Sequence, residues 1–161
     1  KKAIGEIQKL FFDKIEIYYD DTTLIAQSAN FEFFTKLING RFPDYNRVIP
    51  QEIKRRLRLS RDKMIEGIKT VSIISESTKI VFAPQTISFE SIVEDNSEAK
   101  TTIEFATGLE EEIYVGVKNR YLLDFLQSIE EEHFEFGFND SNLAFTVSSN
   151  ELKTVIMPIN L

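Results

Sequence analysis

The chain is 161 residues long, 42% hydrophobic and 28% charged, a balance that suits one globular domain with part of another and argues against intrinsic disorder. Its 26 acidic and 19 basic residues give a formal net charge of -7, and it has 0 Cys, which excludes a protein that coats nucleic acid by bulk positive charge, a disulfide scaffold and thiolate chemistry. No run approaches the roughly 20 apolar residues of a bilayer span, and Lys1-Lys2-Ala3-Ile4-Gly5-Glu6 is no secretion signal, so a cytoplasmic location without membrane partners is expected of what reads as a piece of a longer polypeptide.

Ile4, Ile7, Leu10 and Phe11 recur at helical spacing, predicting an amphipathic helix over residues 1 to 11. Alternation of Ile15, Ile17 and Tyr19 predicts a strand from Lys14 to Tyr19. Asp20-Asp21 turns it into a partner at Thr23 to Gln27, and a third strand, Phe31 to Ile38, ends at Asn39-Gly40. Residues 45 to 50 read as an extended connector, because Pro43 and Pro50 push the residues before them out of helical geometry.

Beyond the connector the pattern predicts a strand at 53 to 59 and a helix at 60 to 74, then strands at 79 to 83, 85 to 93, 100 to 107 and 111 to 117. A second helix at 118 to 130 precedes strands at 133 to 139, 142 to 147 and 152 to 157. Met64, Ile65, Ile68, Val71 and Ile74 form one helical stripe and Leu122, Leu123, Phe125, Leu126 and Ile129 another, so both helices should pack on sheet. The fold class is α+β. Helix then three strands at 1 to 38 repeats the order of 118 to 157, which suggests a structural repeat.

Charge is segregated along the chain. Arg47, Lys54, Arg55, Arg56, Arg58, Arg61 and Lys63 face only Glu52 and Asp62 in their stretch, whereas Glu90 to Glu112 and Glu130 to Glu135 are strongly acidic. The acidic clusters read as solvated surface, with no metal site. Lys54 to Arg58 reads equally well as the charged solvent face of an edge strand. His133 is the only histidine, on a strand face with Glu135 and expected to be exposed; without a nucleophile elbow beside it, a hydrolase with His133 as base has little support. Gly67-Ile68-Lys69-Thr70 lacks the pattern of a phosphate loop and lies inside a helix.

Two segments carry a family resemblance: Gly40-Arg41-Phe42-Pro43-Asp44-Tyr45-Asn46-Arg47-Val48-Ile49-Pro50, and Val155-Ile156-Met157-Pro158-Ile159-Asn160-Leu161. Together they resemble the bacterial DNA polymerase III beta subunit, the replicative sliding clamp. The resemblance implies a DNA-clamp fold, antiparallel sheets with two helices per domain on one face, three domains per subunit and a homodimeric ring around double-stranded DNA. Residues 1–44 would be the C-terminal part of the middle domain, incomplete here, and 45–161 the third domain. The implied function is a non-catalytic processivity factor, without cofactor, that tethers the DNA polymerase III alpha subunit, the clamp loader and other proteins with clamp-binding motifs.

By that resemblance Pro43, Arg47, Val48, Val155, Met157, Pro158, Ile159 and Leu161 line a pocket for short peptides bearing Leu and Phe. Asn160 and Asn46 depart from the family's commoner arginines, which changes rim contacts and not the pocket; the pocket's other wall belongs to an earlier stretch of the middle domain. Lys1 and Lys2, then Lys63, Lys69, Lys118 and Arg120, are the implied DNA-facing cations. Ile73 and Ile74, beside Ser75-Glu76-Ser77, fall at the implied subunit contact with Glu94, Asp95 and Glu98 as ion-pair formers, although at least one of the two isoleucines is expected in the core. A stand-alone peptide-binding module without DNA is the alternative.

Overall fold

The computed structural model describes residues 2–10, 14–38, 40, 44–92, 99–150 and 152–161, with the backbone alone for Lys2 and Tyr45. Two compact units divide the chain, Lys1–Pro43 and Asp44–Leu161. In the first, α1 (Lys2–Leu10) precedes β1 (Glu16–Tyr19), β2 (Thr23–Gln27) and β3 (Glu32–Lys36), which form an antiparallel sheet in the order β1-β2-β3. Ile17 faces Ala26 and Ile25 faces Phe34 across it.

The β1–β2 turn is built by Asp20. Its Oδ1 accepts bonds from the backbone N–H groups of Thr22 and Thr23, both at 2.7 Å, and from the Thr22 hydroxyl at 2.9 Å. The Thr22 backbone and hydroxyl bonds hold its carboxyl below the usual aspartate range, since they favour the charged form. Ile4, Tyr19, Phe34 and Ile38 are exposed within this unit.

The connector departs from the expected extended form. Tyr45–Arg47 makes one turn of 3-10 helix, with the Arg47 N–H donating to the Asp44 carbonyl at 3.2 Å and the Asn46 N–H to Asp44 Oδ1 at 3.2 Å. A proline restrains only the residue before it, which leaves residues 45–47 free to follow the aspartate cap.

In the second unit the chain runs β4 (Arg55–Ser60), α2 (Arg61–Ser72), β5 (Ser77–Phe82), β6 (Thr86–Ser91), β7 (Lys100–Glu104), β8 (Ile113–Lys118), α3 (Asn119–Ser128), β9 (His133–Phe138), β10 (Phe145–Ser148) and β11 (Lys153–Ile156). This is one strand-helix-three-strand module written twice. The sheets have the orders β7-β6-β5-β8 and β11-β10-β9-β4, so the first strand of each module completes the other's sheet. All the pairings are antiparallel. The helix-then-three-strand order of the first unit is the same as that of α3 to β11.

The helix starts obey the same two-fold pattern. The Arg61 N–H donates to the Glu132 carbonyl at 2.8 Å and the Asn119 N–H to the Glu76 carbonyl at 2.9 Å. Arg61 Nε reaches the Leu126 carbonyl at 2.8 Å, and Asn119 Nδ2 the Ser75 carbonyl at 2.8 Å. Each helix thus closes the carbonyl end of the other, satisfying groups that lack intrahelical partners.

Between the sheets sits a phenylalanine core. Phe82 of β5 lies 5.1 Å from the Phe136 ring and 5.4 Å from that of Phe138, and Phe136 stacks on Phe145 at 4.9 Å. Met64, Ile68 and Val71 of α2 and Leu122, Phe125 and Leu126 of α3 join the same cluster. The α+β class and the helix packing follow the periodicities. Element ends differ by at most three residues: the expected strand at 100 to 107 stops at Glu104, because Phe105 and Thr107 donate instead to the loop carbonyls of Gln85 and Pro84.

Candidate functional site

Four residues of α3, Tyr121, Asp124, Phe125 and Ser128, fall one or two helical turns apart and point along one stripe. Facing them is the run Thr154, Val155, Ile156 and Met157 of β11 and its continuation. Together these eight line an open hollow of about 530 Å³. The hollow is a consequence of packing: α2 lies along β6 and β7, whereas α3 stays close to β8 and meets β11 only along its flank.

Its floor is apolar and its rim polar. Phe125 and Ile156 are buried, while Tyr121 is 57% exposed and Met157 60% exposed. An apolar side chain entering would contact the tyrosine ring, the methionine and Val155, with the Tyr121 hydroxyl at the edge beside Ser128, whose hydroxyl donates to the Phe125 carbonyl at 2.8 Å, and Asp124, 4.0 Å from Arg120 Nε. Burial of this kind contributes about 25 cal/mol per Å² before ordering costs. Its apolar floor and polar rim suit an apolar segment more than they suit chemistry.

Of the residues expected to form a pocket, Val155 and Met157 line this hollow. Pro158, Ile159 and Leu161 continue the same segment, with the Ile159 N–H bonded to the Gly116 carbonyl at 2.9 Å. Arg47 and Val48 are exposed on the connector, Arg47 Nε lying 3.2 Å from Asp44 Oδ2, and neither is among the lining residues. Pro43 lies outside the described residues. Tyr121, Asp124, Phe125, Ser128, Thr154 and Ile156 were not expected as walls. The i, i+3, i+4, i+7 spacing of the four helical ones was the available signal, concealed because only Phe125 is apolar enough to read as part of a stripe.

Lys63 and Lys69 are exposed on α2, Lys118 at the end of β8, and Arg120 on α3, with Arg120 Nε 4.0 Å from Asp124 Oδ2. Lys2 begins α1, and Lys1 lies outside the described residues. Ile73 and Ile74 are 83% and 44% exposed, which corrects the expectation that one of them packs inside: Ile73 keeps helical backbone geometry and falls two residues past Val71, off the buried stripe, and Ile74 follows the end of α2 at Ser72. Glu94, Asp95 and Glu98 lie outside the described residues.

Arg55, Arg56 and Arg58 are exposed on edge strand β4, Arg56 paired with Glu135 at 2.5 Å. His133 is half-buried at the start of β9, its Nδ1 4.0 Å from Glu132 Oε2. It makes no serine hydrogen bond among the described residues. Nor do three metal-ligating side chains converge there.

The family model for the DNA polymerase III beta subunit, C-terminal domain, matches residues 46–160. The chain belongs to that family. It is 30% identical over 174 residues to the beta sliding clamp of Helicobacter pylori strain J99, covering 100% of this chain and 46% of that protein. The beta sliding clamp of Chlamydia muridarum is 28% identical over 168 residues, covering 99% of this chain and 45% of its own length. Among solved structures, the H. pylori beta clamp bound to a DNA ligase peptide matches with a TM-score of 0.81 at 28% identity, over 99% of this chain and 44% of that one. A Bartonella birtlesii sliding clamp bound to griselimycin matches with a TM-score of 0.81 at 26% identity, over 99% of this chain and 46% of that one. The chain therefore spans about half the length of the relatives it matches, and its fold is that of the beta clamp.

Proposed function

We propose that this chain is the C-terminal portion of a replicative sliding clamp, with residues 1–44 ending a middle domain and 45–161 forming a third. In the full-length protein, a homodimeric ring encircles duplex DNA and holds the DNA polymerase III alpha subunit, the clamp loader and other partners near the template. Its role is mechanical and non-catalytic, in the cytoplasm. The observation that carries this reading is the apolar hollow between α3 and β11, in which Val155 and Met157 stand where an apolar peptide side chain would enter. That a relative has been solved with a ligase peptide bound favours a short peptide as the occupant.

Pro43, Arg47 and Val48 would add a connector-side wall to the pocket, and Pro158, Ile159 and Leu161 its far end. Lys1, Lys2, Lys63, Lys69, Lys118 and Arg120 would face DNA from the helices and their ends. Ile73 and Ile74 would meet an apolar patch of the partner subunit, assisted by Glu94, Asp95 and Glu98. Because exposed ion pairs contribute at most about 1 kcal/mol each, the isoleucines would dominate that contact.

The test is Met157→Ala in the full-length protein, read by titration with a fluorescent peptide carrying adjacent Leu and Phe. Loss of one large contact from an apolar hot spot weakens binding by roughly tenfold or more, while His133→Ala leaves it unchanged. Equal affinity for Met157→Ala and the parent would remove the hollow as the docking site.

A further inference from the structure

The wall of the hollow formed by β11 is anchored at only one end by its sheet. Val155 and Ile156 pair with Thr146 and Phe145 of β10, and the ladder then stops. Met157 and Pro158 separate it from Ile159, whose N–H donates to the Gly116 carbonyl at 2.9 Å. Gly116 pairs with Lys79 of β5 through the other edge of β8. The segment after β11 thus crosses to the second sheet and is bonded to the outer edge of β8.

Gly116 is shaped by that crossing. A Cβ there would lie 2.7 Å from the Ile159 carbonyl oxygen, 2.9 Å from Ile159 Cγ1 and 3.1 Å from Leu161 Cγ. The nearest of these is a backbone atom, which cannot move aside without moving the segment. Conformation does not require glycine here, since Gly108 is the glycine with positive φ among the described residues. A glycine inside a strand costs stability of its own. What its absence of side chain provides is close approach of a second backbone.

We propose that Gly116 is a positioning residue for the hollow: by seating Ile159 on β8 it fixes Met157, which has no ladder partner of its own, in the wall across the hollow from α3. The proposal rests on the reading of the hollow as a peptide site. Pro158 reinforces the arrangement, because its fixed φ transmits the position of residue 159 to residue 157 with little slack. A side chain at 116 would leave β8 intact and displace the wall of the groove.

Two variants of the full-length protein test this, Gly116→Ala and Ile159→Pro, the second removing the donor without touching β8. Each should weaken the Leu-Phe peptide by roughly fivefold, the scale of one neutral hydrogen bond, and the double variant should be no weaker than either single one. Thermal unfolding should be lowered only slightly in either variant, because the terminal segment and not the β8 ladder is displaced, and the Ile159 amide should lose exchange protection in Gly116→Ala. Peptide affinities indistinguishable from the parent, or losses that multiply in the double variant, would overturn the positioning role while leaving the hollow as the site. If the parent fails to bind the peptide although its Ile159 amide is protected, the peptide reading falls and takes the positioning role with it.

Discussion

At the scale of single residues, the closest approach to a glycine among the described residues is where α2 crosses β6. A Cβ on Gly67 would lie 2.4 Å from Cε2 of Phe89, and that ring is fully buried, so it has no free volume into which to turn. Alanine favours helix over glycine by about 1 kcal/mol, but overpacking a core costs typically about 1–3 kcal/mol. Gly67→Ala should therefore lower stability in urea unfolding, against the propensity rule. Glu90 supplies a pH-dependent term. A hydrogen bond from Lys100 at 2.7 Å, assisted by Lys79 at 3.2 Å and partly offset by desolvation, holds its carboxyl below the ordinary glutamate value. The unfolded chain then binds the proton more readily than the folded one, so this stabilisation is full above the ordinary glutamate value and is lost as the pH falls through the depressed one. Glu90→Gln should flatten that acidic part of the stability profile by less than about 1 kcal/mol, Lys100 being well exposed; an unchanged profile in denaturant titrations would remove the trio from the account.

Among elements, the reciprocal closure of α2 and α3 is what fixes the groove's helical wall. Asn119 is buried, with its Oδ1 accepting from the Thr78 hydroxyl at 2.6 Å and its Nδ2 donating to the Ser75 carbonyl. Asn119→Ala strands both partners, and a buried unsatisfied group costs about 1–3 kcal/mol; a correspondingly lower unfolding midpoint is expected, with Asn119→Asp failing to restore it because a carboxylate cannot donate to Ser75. This closure was invisible in the sequence, where Asn119 and Ser75 are merely polar residues far apart. By contrast the helices were legible, because Met64, Ile68 and Val71, or Leu122 and Leu126, report burial through their spacing alone. Phe134, Phe136 and Phe138 did the same for β9 at period two. Only a part of the groove was readable: Val155 and Met157 stand out as apolar residues in a recognisable segment, whereas Tyr121, Asp124 and Ser128 are ordinary helix-surface residues until β11 is placed opposite them. The 3-10 turn at Tyr45–Arg47 was not legible, because it is set by bonds to Asp44 and not by the two prolines, which do not act on those positions.

At the scale of the whole molecule, the chain's negative net charge and its exposed helix cations would make opposite demands on a DNA partner, and the proposed ring would reconcile them. With a charge of -7 over these residues, phosphate pairing would give little lasting residence, since such affinity falls steeply with salt, by a slope of roughly 0.9 per neutralised phosphate. Enclosure needs no such affinity: a closed ring stays on a circle because no path leads off it, and weak contacts from Lys63, Lys69, Lys118 and Arg120 would orient the duplex without arresting movement. The proposed clamp should therefore remain on nicked circular DNA at salt concentrations that strip ordinary electrostatic complexes. It should leave once the circle is cut at one site. Replacing those four cations by Gln should reduce the salt slope of association by up to roughly 0.9 per lost contact, yet leave retention on the uncut circle unaltered, because topology and not charge sets it. Gel filtration of full-length protein loaded on plasmid, before and after linearisation, separates the two contributions; retention that survives cutting, or that the cation replacements abolish on the intact circle, would mean that residence is electrostatic and that no ring encloses the duplex.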